Sequence, residues 1–330
     1  MIIVTGGAGL IGSAVIQRLN QLGREDIIVV DHLGHSDKWR NLSPLCFMDY
    51  IEKDTFERIL DENTLHQRLP DGRGLDAVIH LGACSATTEP DATYLIKNNF
   101  EYSRKLALAA LAADARFIYA SSAATYGDGE HGFLDDNMQL PQLRPMNMYG
   151  YSKQLFDLWA LHRGILDEIV GIKYFNVYGP NEQHKGDMRS LVLKAFEQIS
   201  ATGKLRLFKS YRPEYADGEQ LRDFIYVKDA AAMTVHFLDH SQSNGIFNVG
   251  GGTTVSWNRL ASAVFSAMKL QINIEYIDMP ESIRNTYQYL TCADTSKIRS
   301  AGYTDPVTSV EDAVADYIRN YLVPGRRLGD

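Results

Sequence analysis

An α/β fold, with a doubly wound parallel sheet and a smaller C-terminal α/β domain, is what this sequence predicts on three observations. Short Val/Ile-rich runs alternate with stretches of helical period, as parallel strands buried on both faces alternate with their covering helices. A glycine-rich turn, TGGAGLIG, joins the first of these runs to the first helix. The length of 330 residues corresponds to about two domains at roughly 150 residues each.

The elements follow in order. MIIVTG is a strand, IGSAVIQRLNQLG a helix and DIIVVD the second strand. DAVIHLGA and RFIYASS are further strands, and YLIKNNFEYSRKLALAALAA between them is a helix. MYGYSKQLFDLWALHRG predicts another helix, and EIVGIKYFNVYG a sixth strand ending at the Gly179-Pro180 break. The polar, aromatic stretch FKSYRPEYADGEQ reads as a loop. After it, RDFIYVKDAAAMTVHFLD and GIFNVGGG return to the strand-and-helix style, and SWNRLASAVFSAM with INIEYIDMP adds a helix and a strand. The smaller domain is therefore expected to be assembled from separated segments.

Composition excludes several classes. Lys and Arg total 33 against 41 Asp and Glu, a net charge of −8, which is the wrong sign for general nucleic-acid or membrane-surface binding. Cys46, Cys84 and Cys292 lie far apart with no CxxC, so neither a disulfide framework nor a zinc ribbon is signalled. There is no basic leader and no long apolar run, and the chain reads as soluble and cytoplasmic. His32-x-x-His35 lacks a third ligand, so no metal is expected.

The turn TGGAGLIG carries Gly6, Gly7, Gly9 and Gly12. Glycines in this setting permit a tight turn and a close approach of backbone to a pyrophosphate, which the helix N-terminus then meets with partial positive charge. With Asp31 closing the second strand, the context is that of a Rossmann-type dinucleotide site. Asp31 suits a ribose hydroxyl and so favours NAD, whereas Lys38 and Lys53 are placed to neutralise the extra phosphate of NADP; on these residues alone the choice stays open. Downstream, YASSAATYG supplies Ser122, and Tyr149-x-x-x-Lys153 puts a phenol and an ammonium on one helical face. Such an ammonium is expected to lower the phenol's pKa from its usual value of about 10, making it a general base for an alcohol whose hydride goes to a nicotinamide.

These motifs, together with HLGACSATTE, Asn98-Asn99, YFNVYGP and RDFIYVKD, make the chain resemble the extended short-chain dehydrogenases/reductases along its whole length. The segments ACSATTE, MYGYSK and YFNVYGPNEQHKGDM are most similar to the ADP-glyceromanno-heptose 6-epimerase family. That resemblance implies a firmly held NADP, with NAD possible, a nucleotide-sugar substrate destined for lipopolysaccharide, and a homo-oligomer. It implies a catalytic role for Ser122, Tyr149 and Lys153, and for Lys185 as a second acid-base residue. It assigns cofactor contacts to Gly6, Gly9, Leu10, Ile11, Gly12, Asp31, His32, Lys38, Lys53, Ala83, Cys84, Ser85, Asn98, Tyr149, Lys153, Val177 and Lys185. Substrate contacts fall on Asn176, Asp187, Lys194, Phe208, Arg222 and Tyr287. Residues 1–175 with about 222–252 would form the cofactor domain, and about 176–221 with 253–330 the substrate domain.

Two departures bear on the substrate side: a longer loop at 208–222, and Asp187 and Lys194 where some members carry serine and histidine. A sugar 4,6-dehydratase would carry Asp-Glu where this chain has Ala123 and Ala124, which disfavours that reading. A UDP-hexose 4-epimerase is the nearest enzymatic alternative, and a non-catalytic nucleotide sensor would have no use for Tyr149 and Lys153. Cys84 reads as a small packing residue rather than a nucleophile, with no activating histidine nearby in sequence.

Overall fold

A computed structural model describes residues 1–70, 73–284 and 287–330. The strands in chain order are β1 (Ile2–Thr5), β2 (Ile27–Asp31), β3 (Asp49–Glu52), β4 (Ala77–His80), β5 (Arg116–Ala120), β6 (Val170–Tyr174), β7 (Asn176–Tyr178), β8 (Leu205–Phe208), β9 (Leu221–Tyr226), β10 (Gly245–Val249), β11 (Thr254–Ser256) and β12 (Ile274–Ile277). Seven of them form one parallel sheet in the order β10-β6-β5-β4-β1-β2-β3. A three-stranded sheet, β11-β9-β7, and the parallel pair β12-β8 lie outside it.

Both faces of the large sheet are covered. Ile2, Val4, Val29 and Ile79 turn to one core, shared with α1 (Leu10–Gln21), and Ile3, Ile28, Val30 and Val78 turn to the other. Each such side chain contributes roughly 1.5–3 kcal/mol by leaving water. This two-sided burial is why β1, β2 and β4 read as unbroken apolar runs. The edge strand β3, by contrast, buries only Ile51 and is not marked in the sequence by an apolar run. It is followed by the helix α2 (Lys53–Asp61).

Two predicted elements are interrupted. The run YLIKNNFEYSRKLALAALAA begins as α3 (Ala92–Leu95), widens into a π-helical stretch over Ile96–Glu101, and continues as α4 (Tyr102–Ala112). The widened turn carries the buried Asn99, whose amide holds both backbone groups of Cys84 and the hydroxyl of Ser152 at 2.9–3.0 Å. The predicted sixth strand EIVGIKYFNVYG is divided at Phe175. Its amide bonds the carbonyl of Val249 at the end of β10, and the chain then leaves the large sheet to form β7, parallel to β9. RDFIYV likewise enters the small sheet as β9 and leads directly into a helix, Val227–Asp239, that packs on α1. The loop predicted in FKSYRPEYADGEQ spans 209–220, between β8 and β9.

The topology fixes where a ligand can sit. From β1 the chain moves outward through β2 and β3, then crosses back to β4 on the other side of β1. In open α/β sheets the crevice at such a reversal, beyond the carboxyl ends of the strands, is the ligand site. Here Gly6 follows β1 and Gly82 follows β4, and the two backbones are in contact: a Cβ on Gly6 would lie 2.6 Å from the Gly82 nitrogen.

Candidate active site

A cavity of about 920 Å³ opens over this crevice, near the upper end of the range for small-molecule sites, roughly 300–1,000 Å³. On one side it is lined by Gly6, Gly9, Leu10, Ile11 and Gly12. Gly6 adopts φ +67°, the left-handed turn that a side chain would strain. Gly9 stands at the N-cap of α1 with no side-chain cap, and a Cβ there would meet only the Gly6 carbonyl, at 3.1 Å. Its open face and the helix terminus form a cradle of the size and polarity that a pyrophosphate needs.

At the end of β2 the Asp31 carboxylate is buried and well supplied with donors. Its oxygens accept from the amides of Ala8 and His32 at 2.8 and 2.7 Å and from Lys38 Nζ at 2.5 Å. Asp31 and Lys38 therefore reach the cavity as one pair, carrying both the hydroxyl acceptor and the cation that the sequence singled out. Lys53, Asn98 and His32 do not line it. Lys53 Nζ donates to Asn98 Oδ1 at 2.9 Å and lies 3.8 Å from Glu57, and His32 pairs with Glu52 at 2.6 Å. Ala83, Cys84, Ser85 and Val177 do line it, and Asn99 fixes the first of these loops by its hold on Cys84. Asn99 went unassigned in the sequence, where the Asn-Asn pair inside a helical run was its only signal.

The next helix along the cavity is α5 (Met148–His162). Asn147 caps it by accepting from the Gly150 amide at 2.8 Å, so Tyr149 sits in the first turn and Lys153 one turn later. Gly150 lets this turn approach the serine loop, since a Cβ there would stand 2.8 Å from the Ala124 carbonyl. Ser122, Tyr149 and Lys153 thereby line the same cavity. Lys153 is 4% exposed, and its Nζ donates to the Ala120 carbonyl at 2.8 Å.

The electrostatics differ from expectation at the phenol. Burial pushes the Tyr149 hydroxyl above its usual pKa, with the Ser122 hydroxyl pulling the other way. The Lys153 amine is turned to the Ala120 carbonyl. Lys153 is itself pushed down to about 8 by burial, opposed by the charge of Asp157.

On the far wall, Lys185 lies half-buried in the short helix Gln183–Met188, and burial lowers its proton affinity while Glu182 opposes. Glu182 is fully buried and accepts from the amide and hydroxyl of Ser190, both at 2.6 Å, which pins this segment to the start of α6 (Leu191–Thr202). His184, beside Lys185, also lines the cavity and faces the Asn41 amide at 3.3 Å.

Of the expected substrate contacts, Asn176, Arg222 and Tyr287 line the cavity. Arg222 is 7% exposed, donates to the carbonyls of Leu221 and Gln288, and lies over the rings of Tyr287 and Trp257 at 5.1 and 5.8 Å. Its cation, held by carbonyls and rings, suits a diphosphate. Asp187, Lys194 and Phe208 are not brought to the wall. Asp187 is exposed with its carbonyl bonded to Lys194 Nζ at 2.7 Å, and Phe208 closes β8. Arg189, Gln288 and Trp257, which the sequence did not mark, take part in the lining instead.

No helix among the described residues is long and apolar enough to cross a membrane, and these residues contain no cluster of metal-ligating side chains.

The family model described as the NAD dependent epimerase/dehydratase family matches residues 2–250. The chain is 54% identical over 322 residues, 98% of each partner, to an ADP-L-glycero-D-manno-heptose-6-epimerase of Nitratidesulfovibrio vulgaris. It is 44% identical over 333 residues, again 98% of each, to the protein of that name from Fusobacterium nucleatum. Among solved structures, the ADP-L-glycero-D-manno-heptose-6-epimerase of Helicobacter pylori aligns with a TM-score of 0.80 at 28% identity, covering 97% of this chain and 95% of that one.

Proposed function

The chain belongs to the NAD dependent epimerase/dehydratase family and, within it, to the ADP-L-glycero-D-manno-heptose-6-epimerases, and from that membership we propose how its own residues interconvert the two ADP-heptose epimers. The observation that carries the reading is the convergence of Ser122, Tyr149, Lys153 and Lys185 on the cavity that also holds the glycine cradle. When bound there, a nicotinamide dinucleotide supplies the reversible oxidant for a secondary alcohol.

Tyr149 takes the proton of the side-chain hydroxyl on the heptose and later returns one, and the Ser122 hydroxyl donates a hydrogen bond that holds the same oxygen. The exocyclic carbonyl so formed turns about its bond to the ring and presents the opposite face, so the configuration is inverted with no net redox change. The two poses put the reacting oxygen in different places. A single fixed acid-base group serves them poorly, and Lys185, on the wall contributed by another segment, supplies the second. In this reading Arg222 and Asn176, which line the same cavity, orient the diphosphate and the sugar.

Incubation with ADP-heptose and, separately, UDP-galactose tests the assignment, with epimer ratios followed by NMR in deuterated water. ADP-heptose is expected to epimerise with no solvent deuterium on the inverted carbon. Conversion of UDP-galactose alone would favour the 4-epimerase reading, and deuterium on that carbon would replace the oxidation route by proton abstraction.

NADP rather than NAD is the cofactor we assign, and Lys38 supports it by its place against Asp31 at the cavity wall. Lys38→Ala is expected to weaken NADP by about 1.5–3 kcal/mol, the scale of a charge-assisted contact, and NAD far less. Calorimetry on cofactor-stripped protein measures both; equal losses would leave Lys38 as a partner of Asp31 only.

A further inference from the structure

One turn beyond Lys153 on α5, Asp157 is completely shielded from solvent. Its carboxylate accepts from Tyr119 OH at 2.9 Å, from Ser121 Oγ at 2.7 Å and from Lys173 Nζ at 3.0 Å. Lys173, on β6, is equally shielded and also donates to Thr125 Oγ1 at 2.5 Å, and that hydroxyl in turn donates to the Ser122 carbonyl at 2.8 Å. The cluster thus grips the end of β5 on both sides of Ser122. It also places a single carboxylate between two buried amines.

A buried ion pair is weak ground for a purely stabilising role, because desolvation offsets most of the Coulombic gain and well-packed apolar residues often do as well. What apolar residues cannot supply is a fixed negative charge behind Lys153. We infer that Asp157 and Lys173 are positioning residues of the proton-transfer site: Asp157 divides its charge between Lys153 and Lys173, and this division sets the pH range over which Lys153 stays cationic. The inference rests on the proposed function, with Lys153 taken as the cation of that site, one turn from Tyr149 on the same helix, whose charge the reaction needs.

Of the other groups around Lys153, Cys84, on the loop after β4, acts in the same direction as Asp157 but more weakly. Tyr149 lies on the same helix, and Tyr119 on β5 and Ser121 just after it are neutral donors to Asp157. His80 on β4 is pushed down to about 3 by burial and by the charge of Lys153, so it is neutral near pH 7. Asp135 acts on Lys173, supporting its cation from the far side.

The sign follows directly. Burial favours the neutral amine and Asp157 favours the ammonium, so Lys153 loses its charge as pH rises through about 8 and the rate falls on the alkaline side. Asp157→Asn is expected to move that alkaline limb down by about one pH unit or more, the scale of one lost opposite charge. Lys173→Met, which leaves Asp157 to Lys153 alone, is expected to move it up. The double variant removes both members of the Asp157–Lys173 pair and so leaves no unpartnered Lys173 charge; it stays testable if Asp157→Asn does not fold, and its limb is also expected below that of the wild type.

The measurement is the pH profile of epimerisation by cofactor-loaded enzyme, with Lys153→Met in the same series. Opposite displacements by the two single changes support the inference. Unmoved limbs, or displacement in one direction by both, overturn it, since a merely structural cluster would alter stability or overall rate without moving the limb. An alkaline limb that survives in Lys153→Met would overturn the underlying role of Lys153 as well, whereas a limb abolished there but untouched by Asp157 and Lys173 sinks only the inference drawn here.

Discussion

Replacing Tyr149 with phenylalanine is expected to slow epimerisation by about a hundredfold or more, the usual range for loss of a positioned acid-base group, while the fold and the cofactor are retained. The ring keeps its place in the first turn of α5, where Asn147 caps the helix and Ser152 is tied to Asn99. Only the phenolic oxygen is lost. Because burial holds this phenol above its usual pKa, the oxidation step draws on the minor phenolate form, which takes the proton of the heptose hydroxyl, and the phenol so formed is the acid for the return step. Rates from NMR, with cofactor content read from the nicotinamide absorbance of the released dinucleotide, separate the two effects. Activity within a few-fold of the unchanged enzyme would remove Tyr149 from the chemistry.

The second large effect is expected at Gly12. A Cβ at this position would collide with the carbonyl group of Gly6 and with the α-carbon of Gly7, and these are backbone atoms that no rotamer change can move aside. Overpacking of this kind costs about 1–3 kcal/mol, and every 1.4 kcal/mol taken from binding is tenfold in affinity. Gly12→Ala is therefore expected to weaken dinucleotide binding by roughly ten- to a hundredfold, through displacement of the turn that forms the cradle. Gly74→Ala is the matched control, because a Cβ there meets nothing within 4 Å. Calorimetry on stripped protein would show a selective loss at Gly12; equal affinities for the two variants would mean that the turn is not where the pyrophosphate rests.

Legibility differed between the two halves of the site. Whatever depends on neighbours in sequence could be read from it. The glycine spacing requires a tight turn ahead of α1, the i, i+4 spacing brings Tyr149 and Lys153 to one face of α5, and unbroken apolar runs mark strands buried on both sides. These are consequences of backbone sterics and helical period, which act over a few residues.

Contacts between distant segments were not legible. Lys53 and Lys38 look equivalent as cations following the second strand, yet only Lys38 reaches the wall, since Lys53 opens α2 and turns to Asn98. Lys194 and Asp187 bond to each other instead of facing the cavity. The Asp157–Lys173 pair joins α5 to β6, and Asn99 joins the π-helical turn to the Cys84 loop. The division at Phe175, which sends β6 and β7 into different sheets, depends on a partner, Val249, that is far away in the chain. Burial and distance are properties of packed surfaces, and burial is the largest cause of the upward shift of the Tyr149 phenol, opposite to the direction expected. Local steric rules thus settled the fold class, the nucleotide turn and the Tyr149–Lys153 face from the residues themselves, whereas the cavity wall and its charges were decided only in the folded chain, where segments remote in sequence exclude water from one another.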